Sequence, residues 1–238
     1  MAPREFGTSD PMKFAAKLKG LRERLGLTLL AGLVCAAGAL ILFASLADEM
    51  AEGEVKRFDD WVRDGIHQLA TPAVTFAMRG VTILGGPLFL FSLSLVVGVG
   101  FFAKKNFRAM ILLIATVVGS SLLNEVLKAS FHRTRPLPFF DITAPNSYSF
   151  PSGHALMSFC FYSSMAALTS RRSKNRAVRI TVWALASLLM LAIGVSRIYL
   201  GVHYPSDVVA GYAAAFIWVM FIVIVDRAIP REDDEAKG

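Results

Sequence analysis

The sequence has 238 residues, of which 55% are hydrophobic, and a formal net charge of +7 at neutral pH. Its mean hydropathy of +0.53 exceeds what a soluble globular core requires, which excludes the ordinary soluble class. The positive charge alone would suit nucleic acid. However, the Lys and Arg residues gather in alternate gaps between apolar segments, which argues against nucleic-acid binding.

The N-terminal segment, residues 1–26, carries apolar residues at helical spacing among Lys and Arg. Phe14, Leu18, Leu21 and Leu25 recur every three or four positions. This pattern predicts a cytoplasmic amphipathic helix lying on the anionic inner leaflet. A positively charged flank that anchors the first apolar segment explains the same residues nearly as well.

Six apolar segments follow, each nearly free of charge. A helix rises about 1.5 Å per residue, so about 20 residues cross the ~30 Å hydrocarbon core, and lipid offers the backbone no hydrogen-bond partners. We therefore predict an all-α, polytopic membrane protein with six transmembrane helices and interfacial amphipathic helices. The predicted spans are Leu27–Ala47, Leu84–Ala103, Ala109–Leu127, Ala155–Ser170, Ile180–Val195 and Val208–Val225.

The first span has an alternative interpretation as a cleaved signal peptide, because Ser45-Leu46-Ala47 resembles a cleavage site. Its apolar run is longer than the usual signal core of about 7–15 residues, which favours a retained span. After this span an apolar stripe recurs among acidic residues, formed by Phe58, Trp61, Val62, Ile66 and Leu69. The stripe predicts an interfacial helix on the outer face of the membrane.

The basic residues divide unequally between the two sides of the membrane. Seventeen of the 25 Lys and Arg lie in the two tails and in the second-to-third and fourth-to-fifth gaps. By the positive-inside rule both termini are cytoplasmic, and the three other gaps face outward. All four His and the eight remaining cations then lie on the outward side, where ionisable residues at span ends indicate a functional site.

The stretch KASFHRTRP holds two cations seven residues apart, Lys128 and Arg135. If the helix of the third span continues, this spacing is two turns and both cations project from one face. Pro136 would then end the helical region. Two cations that snorkel from a span end are the alternative interpretation.

The stretch PSGH, residues 151–154, has the composition of a helix start. Ser152 is a candidate N-cap, and Gly153 would let a ligand approach the backbone closely. The free N–H groups and the positive end of the helix dipole make such a start an anion site. His154 would stand in the first turn beside the anion. A simple helix cap fits the tetrapeptide equally well.

The stretch SRIYLGVHYPSD, residues 196–207, places Arg197 at the end of the fifth span and His203 at the start of the sixth. Asp207, four residues after His203, can reach one ring nitrogen if the turn is helix-like. It would then fix the tautomer and make the other nitrogen a better nucleophile or base. A His–Asp pair that only caps a helix is the alternative.

These side chains all fall at the outer boundary of consecutive spans, so one bundle can gather them at one depth. Three cations, two histidines and a helix N-terminus describe a phosphate site. A metal site of His154, His203 and Asp207 is the chemical alternative. The three nearby cations would repel a divalent ion, so we predict no metal. Spacing alone leaves the choice of nucleophile between His203 and His154 open.

The three stretches resemble, in order, the signature motifs of the type-2 phosphatidic acid phosphatase superfamily. They read K-x6-R-P over Lys128–Pro136, P-S-G-H over Pro151–His154 and S-R-x5-H-x3-D over Ser196–Asp207. The resemblance implies one membrane-embedded phosphatase domain over residues 1–238, with its catalytic motifs in residues 128–207. The six predicted spans favour the integral membrane lipid phosphatases over the soluble branches of the superfamily.

The resemblance also implies a role for each motif residue. His203 would attack phosphorus and form a transient phosphohistidine, with Asp207 orienting its ring. His154 would protonate the leaving lipid oxygen and then activate water. The phosphate oxygens would be held by Lys128, Arg135, Arg197, the Ser152 hydroxyl and the Gly153 backbone. The family works without a metal ion, and no cofactor is expected.

The expected activity is metal-independent hydrolysis of a lipid-linked phosphate mono- or diphosphate ester at the outer face of the membrane. Candidate substrates are phosphatidic acid, phosphatidylglycerol phosphate and polyprenyl pyrophosphate. The absence of an N-x-S/T sequon favours a bacterial inner-membrane enzyme. Its expected partners are the lipid substrate and the bilayer, and no obligate protein partner is evident. The alternatives are a lipid phosphotransferase with the same intermediate, or a lipid-phosphate binding or transport protein.

Overall fold

A computed structural model describes residues 11–143 and 145–229, with side chains from Gly26 onward. All regular secondary structure in these residues is helical, which confirms the predicted all-α class. The helices are α1 (Pro11–Glu52), α2 (Lys56–His67), α3 (Pro72–Ile83), α4 (Pro87–Ala103), α5 (Phe107–Phe131), α6 (Gly153–Arg172), α7 (Arg176–Tyr199) and α8 (Pro205–Ala228).

In the described part of the chain, four helices are long and apolar enough to cross a membrane: α1 from Gly26 on, α5, α7 and α8. Helices α3 and α4 are bent by 48° at the break between them and make a fifth span if the pair is taken as one. The protein is thus a multi-pass membrane protein, but the predicted count of six spans is not confirmed. The remaining predicted span, Ala155–Ser170, lies in α6. Packing of α6 against other helices, with buried Ser158, Ser163 and Ser170, explains its lower apolarity.

Two predicted interfacial helices have different outcomes. From Pro11 on, the N-terminal amphipathic segment is helical and continuous with the first span as α1. Residues 1–10, and the side chains of residues 11–25, lie outside the described residues. The stripe after the first span forms α2, on which Phe58 and Trp61 are 56% and 73% exposed. Exposed aromatic rings of this kind suit a helix at the membrane interface.

The helix boundaries follow from local sequence signals. Thr71 caps α3 by accepting a hydrogen bond from Val74 N at 3.2 Å, and Asn106 caps α5 by accepting one from Ala109 N at 3.2 Å. Pro87 and Pro205 occupy the first positions of α4 and α8, where a missing N–H costs nothing. Helix α5 ends where His132 adopts a left-handed conformation, with φ of 49°.

Helix α6 lies at the centre of the bundle, between α5, α7 and α8, and α1 packs along α8. Its side chains Leu156, Cys160 and Phe161 belong to the main buried apolar cluster. Close approach between α6 and α8 requires Gly211, because a Cβ there would lie 2.8 Å from the Ser152 carbonyl oxygen.

From α4 on the chain alternates in direction, so that α5 and α7 end at the level where α4, α6 and α8 begin, beside the break between α3 and α4. We call this end of the bundle the site end and the other the opposite end. Arg197 in the last turn of α7 contacts Thr82 near the end of α3, and the start of α8 contacts the start of α6 through the Ser152 N–H and the Asp207 carbonyl oxygen at 2.9 Å. The three sequence motifs therefore meet at the site end.

Candidate active site

His203 and Asp207 form a buried pair at the start of α8. His203 Nδ1 lies 3.2 Å from Asp207 Oδ2, and the two residues are 2% and 0% exposed. Asp207 Oδ2 also accepts a hydrogen bond from Tyr204 N at 2.9 Å, which fixes the carboxylate against the first turn. A carboxylate at Nδ1 requires that this nitrogen carry the proton, so the lone pair of a neutral His203 lies on Nε2.

Arg135 lies directly in front of His203. Its Nη1 is 3.0 Å from His203 Nε2 and donates to the Val202 carbonyl oxygen at 2.9 Å. Its Nε and Nη2 donate to Ser147 O at 2.7 Å, Ser147 Oγ at 3.0 Å and Tyr148 O at 3.1 Å. The guanidinium thus joins the loop after α5 to the loop before α8.

Lys128 reaches the same place from α5, although the predicted geometry for this pair is wrong. The helix of the third span ends at Phe131 instead of continuing to Arg135, because the chain turns at His132 and an extended segment leads to Pro136. The loop then folds back on the bundle. As a result Lys128 Nζ and Arg135 Nη2 both donate to Ser147 Oγ, at 3.4 and 3.0 Å.

The PSGH stretch begins α6 as predicted, with Ser152 at the N-cap position, but the Ser152 side chain makes no capping hydrogen bond. Its Oγ is buried and has no partner among the described residues. Gly153 packs beside Asn124 of α5, where a Cβ would lie 3.0 Å from Asn124 Oδ1. The first turn of α6 therefore presents N–H groups and a free hydroxyl at the site end.

His154 stands in the first turn of α6, beside the break between α3 and α4. A Cβ placed on Gly85 would lie 3.5 Å from His154 Cδ2, and one on Gly86 would lie 3.8 Å from His154 Nε2. The absence of side chains at these two positions makes room for the imidazole. Gly85 and Gly86, near the start of the second predicted span, thus form part of the wall of the site.

Arg197, in the last turn of α7, completes the group of cations. It is 7% exposed, and its Nη1 donates to Thr82 Oγ1 at 2.6 Å. Its Nε is buried without a hydrogen-bond partner among the described residues. A buried N–H of a charged group without a partner is suited to an anionic ligand.

Arg133 and Asp59 belong to the site, and sequence reasoning missed both. Arg133 donates to Asp207 Oδ1 at 2.6 Å, Asp59 Oδ2 at 2.7 Å and Ser206 Oγ at 2.8 Å. A signal existed for Asp59, which stands three residues before Val62 in the apolar stripe of α2, where an acid is out of place. Arg133 stands two residues before a motif cation and carried no distinguishing pattern of its own.

The environment sets the charge state of His203. Burial, with a smaller contribution from Arg135 and Arg197, lowers its pKa to about 4, against the Asp207 carboxylate, which raises it. Burial also lowers the pKa of Arg135, against the opposing effect of Asp207. For Arg133, burial opposes the charge, but Asp207 and Asp59 raise its pKa above the ordinary value. His203 is therefore a neutral base among cations at neutral pH.

This arrangement can bind a phosphate group and attack it. Cations surround the space in front of His203 Nε2, and a helix N-terminus borders it, which supplies the positive charge that phosphoryl transfer needs. Among residues 11–143 and 145–229, His, Cys, Asp and Glu side chains do not gather in groups of three that could hold a metal ion. The side chains present are suited to phosphate chemistry by charge and by an oriented imidazole.

Comparisons with family models and with individual proteins agree on one family. The PAP2 superfamily model matches residues 108–230. Phosphatidylglycerophosphatase B of Bacillus subtilis is 30% identical over 197 residues, which cover 80% of this chain and 94% of that protein. The undecaprenyl-diphosphatase of Sulfolobus acidocaldarius is 31% identical over 126 residues, which cover 51% of this chain and 56% of that protein.

A solved structure shares the fold. It is the transmembrane PAP2-type phosphatidylglycerolphosphate phosphatase from Bacillus subtilis, with a TM-score of 0.75 and 28% identity, covering 83% of this chain and 98% of that one. The resemblance seen in the three motifs is thereby confirmed, and the chain belongs to the PAP2 superfamily as a hydrolase of phosphate esters.

Proposed function

We propose that this chain hydrolyses a lipid-linked phosphate mono- or diphosphate ester through a phosphohistidine intermediate. One observation carries the proposal: His203 Nδ1 is paired with Asp207 Oδ2 at 3.2 Å, and Nε2 faces the cations. A site that only binds phosphate needs positive charge but no oriented, neutral imidazole.

In the first step, the lone pair of His203 Nε2 forms a bond to phosphorus as the bond from phosphorus to the lipid oxygen breaks. His154 gives its proton to that leaving oxygen, and Asp207 balances the charge that develops on His203. Lys128, Arg135 and Arg197 hold the phosphate oxygens, and the anionic phosphate favours the protonated form of the nearby His154.

In the second step, water attacks the phosphohistidine. His154, now neutral, accepts a proton from this water as the new oxygen–phosphorus bond forms and the nitrogen–phosphorus bond breaks. Inorganic phosphate leaves, and both histidines return to their starting forms. A second molecule that carries a hydroxyl group would give a phosphotransferase by the same route.

Arg135 has to move during binding. Its Nη1 lies 3.0 Å from His203 Nε2, so it occupies the direction from which phosphorus must approach. An incoming phosphate oxygen offers the guanidinium a stronger, charge-assisted hydrogen bond than the neutral imidazole does. The substrate would thus draw Arg135 away from the nucleophile and expose its lone pair.

The substrate we propose is a glycerolipid phosphate or a polyprenyl diphosphate. The site lies at one end of the membrane-spanning helices, a position that suits a phosphate carried on a lipid headgroup. The relatives named above act on substrates of these two kinds. We also propose that the site faces outward, because Lys104, Arg108, Arg172 and Arg176 lie at the opposite end.

The test is phosphate release by the purified full-length protein from a panel of lipid phosphates. His203→Ala should lower turnover by at least about 1000-fold while the protein stays folded, because no other group supplies the nucleophile. Arg79→Gln is the control, since Arg79 donates to the Phe140 carbonyl oxygen and, among the described residues, makes no hydrogen bond or ion pair with a motif residue. Turnover by His203→Ala near the wild-type level would refute the mechanism. Transfer of labelled phosphate to a second lipid, without free phosphate, would identify a phosphotransferase.

A further inference from the structure

Arg133 lies on the far side of Asp207 from His203 and outside the group of cations that faces the phosphate. Its guanidinium joins two carboxylates, Asp207 Oδ1 at 2.6 Å and Asp59 Oδ2 at 2.7 Å. Its side chain is 9% exposed and stacks over the Tyr204 ring at 4.1 Å. We call this arrangement the Asp59–Arg133–Asp207 bridge.

Asp59 anchors the bridge from α2. It is fully buried, and its Oδ1 accepts from Ser206 N at 2.9 Å while Oδ2 accepts from Ser206 Oγ at 2.5 Å and from Arg133. Both carboxylate oxygens are therefore occupied. Charge-assisted hydrogen bonds of this number and burial leave the Arg133 side chain one position.

The bridge has a direct consequence for Asp207. One of its oxygens is bound by Arg133, and the other is bound by His203 Nδ1 and Tyr204 N. Because both oxygens are held from opposite sides, the plane of the carboxylate is fixed, and with it the direction of the His203 ring. Arg133 also neutralises part of the negative charge of Asp207, which would otherwise act in full on His203.

We propose that Arg133, anchored by Asp59, is a positioning residue for phosphoryl transfer, which fixes the Asp207 carboxylate and so aims His203 Nε2 at phosphorus. This inference rests on the proposed function of the site. It assigns a catalytic purpose to the contact of α2 with the start of α8, which would otherwise be a packing contact at the edge of the bundle.

Several charged or titratable groups face His203 and bear on the pH dependence of the reaction. Four of them act on His203 directly: Asp207 of α8, Arg135 of the loop after α5, Arg197 of α7 and His154 of α6. Lys128 of α5 interacts with Asp207 and so affects His203 indirectly. Loss of Arg133 leaves all of these in place but gives His203 the undivided charge of Asp207. The pKa of His203 should then rise, because the full negative charge of Asp207 stabilises the protonated ring.

The test compares Arg133→Gln, Arg133→Lys and Asp59→Asn with wild type in purified full-length protein. For Arg133→Gln we expect kcat to fall roughly 10- to 100-fold, as for a misplaced reacting group, with KM within about threefold. The acid limb of kcat/KM should move upward from about pH 4 and stay below the ordinary histidine value of about 6.5, because His203 remains buried beside Arg135 and Arg197. Arg133→Lys, which can bind one carboxylate, should recover part of kcat.

Two measurements separate positioning from general damage. The inhibition constant of inorganic phosphate should stay within about twofold of wild type in each variant, because the phosphate-binding cations are untouched. Arg79→Gln should leave kcat and the acid limb unchanged. If Arg133→Gln does not fold, Arg133→Lys and Asp59→Asn decide the question by the same criteria.

The inference is overturned if folded variants keep the wild-type kcat and acid limb. It is also overturned if kcat falls only together with a matching rise in KM and in the phosphate inhibition constant, which would indicate a merely structural role. Failure of the proposed function looks different. In that case the wild-type protein releases no phosphate, or His203→Ala retains turnover.

Discussion

His203 is the side chain whose surroundings determine most of what the site can do. It is buried beside Asp207, which orients its ring, and behind Arg135, which covers its free nitrogen. An exposed histidine is partly protonated near neutral pH and loses its nucleophilic lone pair in that form. Burial among cations prevents this, so that the lone pair is available over the whole physiological range.

The pH dependence of turnover should reflect this environment. With the pKa of His203 lowered to about 4, the neutral form persists as pH falls below 6.5 and is lost only as pH passes through about 4. We expect kcat/KM, corrected for ionisation of the substrate phosphate, to show its acid limb near pH 4. Recovery of activity after return to pH 7 is the control for unfolding. An acid limb near 6.5 would contradict a buried neutral His203.

The sequence alone identified the motif residues but not Asp59 and Arg133, which hold Asp207 in place. Lys128, His154 and His203 each stand in a short stretch whose spacing has chemical meaning, so local pattern was enough to find them. The contact between Asp59 and Arg133 joins residues 74 positions apart, and no local pattern encodes that pairing. In the same way, spacing could not reveal that α5 ends at Phe131 and that a loop carries Arg135 back to the site.

At the scale of elements, the break between α3 and α4 shapes one side of the site. Thr82 before the break accepts from Arg197, and the Leu84 carbonyl oxygen accepts from Tyr162 OH at 2.9 Å. Gly85 and Gly86 place bare backbone against His154. The sequence predicted only that the second span starts at Leu84, whereas the bend gives the site a wall that no straight helix could provide.

Substitution at Gly85 should damage this wall. A Cβ there would overlap Cγ2 of buried Ile193, so Gly85→Ala must shift the bend at a cost of about 1–3 kcal/mol. We expect activity to fall at least about tenfold, because His154 and Arg197 both depend on the bend. Gly80→Ala in α3 is the control, since a Cβ at Gly80 meets no atom within 4 Å. Equal activity and thermal stability of the two variants would show that the bend tolerates a side chain.

At the scale of the whole molecule, the helix dipoles and the cationic side chains both contribute positive potential at the site end. Helices α4, α6 and α8 begin at the site end, and their dipoles place positive potential there. Lys128 and Arg197 lie in the last turns of α5 and α7, where the negative end of each dipole favours a cation. The bundle therefore concentrates positive potential at the depth of the site, and a second group of cations, Lys104, Arg108, Arg172 and Arg176, lies at the opposite end.

The orientation of the bundle can be read by cysteine labelling. In a background with Cys35 and Cys160 replaced, a membrane-impermeant thiol reagent applied to intact cells should label Asn146→Cys, at the site end. The same reagent should label Ser173→Cys, at the opposite end, only after the membrane is opened. The reverse pattern would place the site on the cytoplasmic side and overturn the proposed outward orientation.

The unpaired Ser152 Oγ and Arg197 Nε have a consequence for the stability of the protein. Each buried polar group without a partner lowers the free energy of unfolding by about 1–3 kcal/mol. An anion that accepts hydrogen bonds from both groups would restore this stability. By linkage, a ligand at 100 times its dissociation constant adds about 2.7 kcal/mol to the free energy of unfolding. Inorganic phosphate should therefore raise the melting temperature of the purified protein, and Ser152→Ala should reduce that rise; no effect of phosphate would contradict this linkage. A membrane rich in substrate would therefore also stabilise the folded state of the enzyme.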